Sequence, residues 1–375
     1  MKHPNVIILL SIIFLSACSK EPMIRLSEER QAYITEKQNI EQASHKNKGE
    51  EKTVNIEITN EVAYDETMSF DDIVDFIPIQ PNQINQYIEN DQEFFRYMEF
   101  VDGNLKMMQV REQKPTSISN HYYAWDEQQI SDLGVGEGTN IPSNQLSNLS
   151  PEGSNIILKA PIQKGNSWEM SSEEIASITN LYETVNINGS TYQDVVEVAY
   201  QDGQQIKYFA KGLGIVAEIN PDDSLVLSSI SQNSYFQVQI PIKAPQQVDN
   251  KLVLVDDVAP IKFQTNEESA NIYTKLFQTL GWITPDISVN KINKETYYIN
   301  VDFTPGIVAA MNQNEVTERG IIPAIVMTMI EHYGMEAVQL TVNGLGMTPN
   351  TISYPDGGLW YPNDMWKTDI NQSFS

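Results

Sequence analysis

Three dipeptides, Asp102-Gly103, Asn188-Gly189 and Asp202-Gly203, constrain most strongly what this chain can fold into. Each supplies residues that tolerate positive φ, which two-residue hairpin turns demand and most side chains resist. Each also lies beside strand-forming segments: EFFRYMEF and LKMMQV, then ETVNI and TYQDVVEVAY, then QQIKYFA. Residues 61–240 are therefore expected to form a β-rich domain, a meander of antiparallel strands. One window, Ser171 to Leu181, reads instead as helix.

The chain changes character after that. Residues 241–260 carry Pro241, Pro245 and Pro260 around a short apolar run and read as an interdomain connector. Beyond it, Thr265 and Glu268 have the spacing of a capping box, and Ile272, Leu276 and Leu280 share one helix face that Gly281 ends. In TYYINVDF the apolar residues Ile299, Val301 and Phe303 alternate with Tyr298, Asn300 and Asp302, the period of a half-buried strand. Ile322, Val326, Met329 and Tyr333 then recur at helical spacing, with Asn312 and Glu315 as a possible cap, Gly334 as the stop, and Pro323 expected to start or kink the helix. Val338, Leu340 and Val342 mark a last strand before Gly344.

This order, from about Ile261 to Gly344, resembles the GerMN domain of sporulation and spore-germination lipoproteins. The resemblance rests on a strand at Ile261–Thr265, a helix at Glu268–Leu280, a strand pair at Ile287–Phe303, the helix PAIVMTMIE and the strand ending in VNG. It implies an α+β protein in which the β-rich domain precedes a small α/β sandwich at 261–344, similar to the ring-building modules of secretion-like complexes. That likeness makes self-assembly an expectation. It supplies no catalytic motif. Three further pieces, DFIPIQPNQINQYIEND, ILKAPIQKGNSW and VVEVAYQDGQQIKYFAKGLGIV, resemble a β-rich module of Firmicute lipoproteins.

The N-terminus gives the compartment. Met1, Lys2 and His3 precede the apolar run Val6 to Phe14 and then Leu15-Ser16-Ala17-Cys18. A basic start with a run too short to span a bilayer is the pattern of a secretory signal peptide, and Leu-Ser-Ala-Cys resembles a lipobox. Residues 1–18 are thus expected to be a lipoprotein signal whose Cys18 is acylated, leaving the protein lipid-anchored on the extracytoplasmic face of the cell membrane. Cys18 is the only cysteine, so no disulfide framework competes for it. Residues 19–60 are polar and charge-mixed and read as a flexible tether.

The formal net charge is −26. Residues 61–260 hold 30 Asp and Glu against 10 Lys and Arg, a balance of −20. That excludes nucleic acid as the expected partner, because phosphate binding depends on Lys and Arg releasing counterions. The partners expected instead are the membrane, through Cys18, and peptidoglycan or envelope proteins.

Chemistry-bearing motifs are scarce. Beyond the signal the histidines are His45, His121 and His332; IEHYG lacks the second His of a zinc-protease helix, and no metal or cofactor is expected. His332 reads as a helix C-terminal residue suited to the dipole, and the glycines 134, 136 and 138 of DLGVGEGTN read as a mobile loop. Paired carboxylates at Asp71-Asp72, Glu173-Glu174 and Asp256-Asp257 keep a carboxylate-based cell-wall hydrolase open as the alternative to a non-enzymatic binding protein. The tail, 345–375, interleaves Tyr354, Trp360, Tyr361 and Trp366 with prolines and glycines. Those rings either pack onto the domain or form an exposed platform, for which Trp360, Tyr361 and Trp366 are the candidates.

Overall fold

The period-2 alternation of the first two thirds of the chain builds one large antiparallel sheet. The computed structural model describes residues 56–152, 154–170, 174–200, 203–221, 223–248, 251–312, 315–347 and 358–362. The signal, Cys18 and nearly all of the 19–60 segment lie outside the described residues, although β1 (Ile58–Ala63) already belongs to the sheet and so shortens the expected tether. The strands that follow are β2 (Ile84–Glu89), β3 (Gln92–Asp102), β4 (Met107–Gln113), β5 (Ile118–Trp125), β6 (Gln129–Glu137) and β7 (Asn155–Lys159). Then come β8 (Ser167–Glu169), β9 (Ile175–Ile187), β10 (Ser190–Tyr200), β11 (Gln205–Ala210), β12 (Gly214–Ile219) and β13 (Ser224–Ser231).

Two meanders, β2 to β7 and β9 to β13, join where β13 pairs with β2, giving the order β1-β9-β10-β11-β12-β13-β2-β3-β4-β5-β6-β7 with β8 also on β9. The expected β-rich architecture is therefore present, and strand predominates over helix in the chain. The window read as helix is strand: β9 begins at Ile175, with Ala176 and Ile178 buried and Ile175 and Thr179 exposed. Its β-branched residues suit a pleated surface better than a helix. Glycines 134 and 136 are likewise in β6, not in a loop, where Gly136 leaves room for the Tyr122 ring.

The sheet curls until its ends meet. Tyr200 of β10 and Trp168 of β8 donate hydrogen bonds to Ile157 O and Ile156 O of β7, the strand at the opposite end of the order. The enclosed face packs Met98, Val110, Ile130, Leu158, Val198 and Phe209 into one core. The other face of β10 to β13 is buried in a second core around Val195, Val216 and Leu227.

Residues 241–260 are not a loose connector. They form most of a long hairpin, β14 (Phe236–Val248) against β15 (Lys251–Phe263), paired from Phe236↔Phe263 to Val248↔Lys251. Its prolines fit because Pro241, Pro245 and the partner of Pro260, Gln239, are all odd-numbered on β14, which puts all three in one phase of the ladder. In that phase the backbone N–H points away from the partner strand. Lys243, in the same phase, turns its N–H outward to Thr328 Oγ1 at 3.0 Å. The even residues Val238, Ile240 and Ile242 face the core.

The last part holds α1 (Ser269–Thr279), β16 (Val289–Lys294), β17 (Tyr298–Phe303), α2 (Gly306–Asn312), α3 (Glu315–Tyr333) and β18 (Ala337–Val342). β17 and β18 are parallel, joined by α2 and α3, while β16 runs antiparallel on the outer side of β17. Ile261 and Phe263 end the hairpin and do not join this sheet. α3 runs through Pro323 and starts eight residues before it, and Asn312 closes α2. Glu268 occupies the N-cap of α1 without a side-chain cap bond. Thr265, expected to share that cap, instead donates from Oγ1 to Met98 O at 2.7 Å and accepts from Asn82 N. Asn266 bonds both N–H and C=O of Val101, and Tyr97 stacks on Phe236 at 5.2 Å, so hairpin and α1 are clamped to the outer face of β3.

Candidate functional site

The residues singled out in the sequence do not converge. Cys18 and Trp366 lie outside the described residues. Trp360 is 1% exposed, in the core with Val338 and Leu340, and pairs with β18 through Val338↔Trp360. Its ring cannot serve as a platform, because burying so large an apolar surface is what holds this end of the chain to the sheet. Tyr361 beside it is 39% exposed. Among the paired carboxylates, Asp72 caps a short 3-10 turn through Val74 N, Asp256 pairs with Lys243, and Glu173 lies outside the described residues.

The structure instead gathers charge inside the curled sheet. Arg96 of β3 is in phase with Met98, which belongs to the enclosed core, so its guanidinium enters that interior as well. It meets Glu112 of β4 at 2.9 Å and Glu218 of β12 at 3.4 Å. β12 and β3 are three strands apart in the order, about 14 Å in a flat sheet. The 3.4 Å contact therefore depends on the curl. Tyr87 and Phe94 lie against the guanidinium, 5.0 and 5.6 Å from ring centre to Cζ. Lys207 reaches Glu218 at 3.1 Å, Lys114 reaches Glu89 at 2.5 Å, and His121 Nε2 lies 3.3 Å from Glu112.

The electrostatics of this cluster decide what it can do. Burial would raise Glu112, but the His121 contact and the charge of Arg96 outweigh it and hold the carboxyl at about 2. Burial also works against Glu218, and Lys207 and Arg96 again win, so its carboxyl titrates below the ordinary range. Two carboxylates flanking one guanidinium could serve glycoside hydrolysis only if one of them held a proton near neutral pH. Both are instead locked in the ionised form. The acid that is raised, Glu99, is raised by burial and is fully enclosed, bonded to Arg111 Nε and Gln109 Nε2, each at 2.6 Å. The sequence signal for Arg96 and Glu218 was available: each is a charged residue in phase with apolar neighbours on an otherwise core-facing strand.

A second polar region lies where the outer face of β5 and the segment after β6 approach α1 and α3. His332 donates from Nε2 to Pro241 O at 2.6 Å, which leaves Nδ1 to accept from Tyr273 O–H at 3.0 Å. A carbonyl accepts only, so Nε2 carries the proton when the ring is neutral. Burial lowers its pKa, partly opposed by the Pro241 bond. His332 does lie in the last turn of α3, as expected, and from there clamps the helix to the hairpin. Beside it opens a cleft of about 200 Å³.

Among the described residues, no group of three His, Cys, Asp or Glu side chains is placed to hold a metal ion, and no helix is long and apolar enough to cross a membrane. No protein-family model matches this chain, and neither a curated protein nor a solved structure is found to match it.

Proposed function

We propose that this protein is a non-enzymatic lipoprotein, anchored through Cys18 on the extracytoplasmic face of the membrane, that offers a binding and assembly surface at the cell envelope in sporulation or germination. The observation that carries the reading is the small sheet β16-β17-β18. Helices cover one of its faces, and the other presents a preassembled polar surface. On it Asp302 accepts from Thr341 Oγ1 and Gly344 N, both at 2.7 Å, and from Asn290 Nδ2 at 3.0 Å, while Asn300 reaches Gln339 and Thr341 at 3.2 Å. These bonds outweigh the burial of Asp302 and keep its pKa below the ordinary value. β16 lies at the edge of this sheet, with one side unpaired among the described residues. An ordered polar face with an open strand edge suits docking of protein or glycan better than turnover.

The α1-β16-β17-α2/α3-β18 order supports the GerMN-like assignment of this part, and the ionised Glu112 and Glu218 argue against carboxylate acid catalysis. The test is co-sedimentation of the full chain, in detergent micelles, with purified peptidoglycan, scored for binding and for released fragments. Binding without release is expected; release of wall fragments at a useful rate would refute the reading. In parallel, Cys18→Ala abolishes labelling by a fatty-acid analogue if the anchor is as proposed.

A further inference from the structure

The cleft beside His332 has walls of opposite charge. Glu137 ends β6 on one side, Lys294 ends β16 on the other, and both side chains are exposed and form no ion pair among the described residues. Deeper in the cleft is the Asn120 side chain, 4% exposed, whose Oδ1 is buried without a hydrogen-bond partner. A buried amide oxygen left in that state is costly, and native structures usually complete such a group with a water or a ligand. The Tyr273 and Tyr333 rings, 6.0 Å apart, and the neutral His332 supply an aromatic wall without added charge.

We propose that this cleft is a binding site for a small zwitterion, a free α-amino acid or an equally small molecule bearing one ammonium and one carboxylate. Its ammonium meets Glu137 and its carboxylate meets Lys294, with the Asn120 side chain among the lining residues. Two observations select this class. The volume, about 200 Å³, is below the roughly 300 Å³ at which pockets accept drug-sized ligands, so the occupant is one residue in size. The walls carry one unpaired charge of each sign, so an anion would meet Glu137 and the field of a −26 chain, and a cation would meet Lys294. A neutral sugar could use the rings and the amide, but would leave both charges unused.

Lys294 ends β16 but pairs with Ile299, in the phase opposite Asn300 and Asp302, so the site does not use the polar face and either proposal can fail alone. The test is isothermal titration of the full-length protein with glycine, L-alanine, L-leucine and L-phenylalanine. The tightest of these is then compared with its N-acetyl and its carboxamide derivatives, and with N-acetylglucosamine. Saturable one-site binding by at least one free amino acid is expected, weakened tenfold or more when either end is blocked. Glu137→Gln and Lys294→Gln should each weaken it by a similar factor without moving the melting temperature, since both residues are exposed. Absence of saturable binding by all four amino acids, equal binding of the blocked derivatives, or binding of N-acetylglucosamine in their place would each overturn the proposal.

Discussion

Arg111→Met isolates the most buried charge pair among the described residues. Arg111 and Glu99 both have 0% exposed side chains and meet at 2.6 Å. The guanidinium also donates to Thr139 O at 2.6 Å and more weakly to Gln113 Oε1 at 3.4 Å. Methionine fills much of the volume but leaves Glu99 with Gln109 as its remaining donor, and leaves Thr139 O without Arg111. Breaking one side of a buried pair costs about 3–5 kcal/mol, and an orphaned carbonyl adds about 1. A loss of about 5 kcal/mol in urea unfolding at pH 7 is expected, a shift of about 10 °C or more in melting temperature. Glu99 already has a raised pKa because of burial, opposed by Arg111, so removing the arginine raises it further. A carboxyl whose folded pKa exceeds its unfolded value adds stability when protonated and loses that contribution as pH rises through the folded pKa. The variant's deficit should therefore shrink as pH falls, and Glu99→Gln in the same background should recover about half of it at pH 7. A deficit below about 1.5 kcal/mol that does not change with pH would refute the reasoning.

Other perturbations test other parts of the structure. Trp360→Ala, at a 1% exposed site, should cost about 3–5 kcal/mol in thermal or urea unfolding; a near-zero cost would restore the exposed-platform reading. Gly214 has φ of +87°, and a Cβ there would lie 2.0 Å from Pro78 O. Gly214→Ala should lose more than about 3 kcal/mol or fail to accumulate, whereas Gly189→Ala, at φ +84° with open space around it, should cost about 1. For Glu112 the folded pKa of about 2 lies below the unfolded value, so its stabilisation, about 3 kcal/mol, is complete above pH 4.5 or so and is lost as pH falls through 2. Stability of wild type minus Glu112→Gln, followed across that window by circular dichroism, should decline accordingly; a flat difference would contradict the pairing with Arg96.

Local patterning carried much of the fold. Asn188 and Gly189 both have positive φ at the β9–β10 turn as their chemistry demands, and Ile299, Val301 and Phe303 are all fully buried. Where the reading departed, a tertiary partner had overridden a local signal. Asp102-Gly103 does not make a two-residue turn: Asp102 Oδ1 accepts from Asn104 and Leu105 N–H, and positive φ falls at Lys106. The true two-residue turn of that region, Asn90-Asp91 at φ 49° and 63°, lacks the glycine that makes such turns conspicuous. Thr265 kept its hydrogen-bonding role but gave it to β3 instead of to α1. The Arg96 cluster was legible only as single charges out of place, because Glu218 reaches Arg96 through a curl that no local window encodes.

The hairpin β14–β15 is where these two kinds of information meet. Its prolines suggest an unpaired linker when counted along the chain, yet they are in the phase where a ribbon needs no N–H. The outward groups of that phase are then taken by the helical part: Lys243 N–H by Thr328, and Pro241 O by His332. On its inner face Phe236 and Phe263 pack on Tyr97 of β3. One ribbon thus holds the curled sheet on one side and α3 on the other, so the cleft between Glu137 and Lys294 is bounded by elements fixed to the same frame. That is the condition under which a small polar cleft can select a ligand by charge spacing, because walls that drifted apart would lose the register of the two charges.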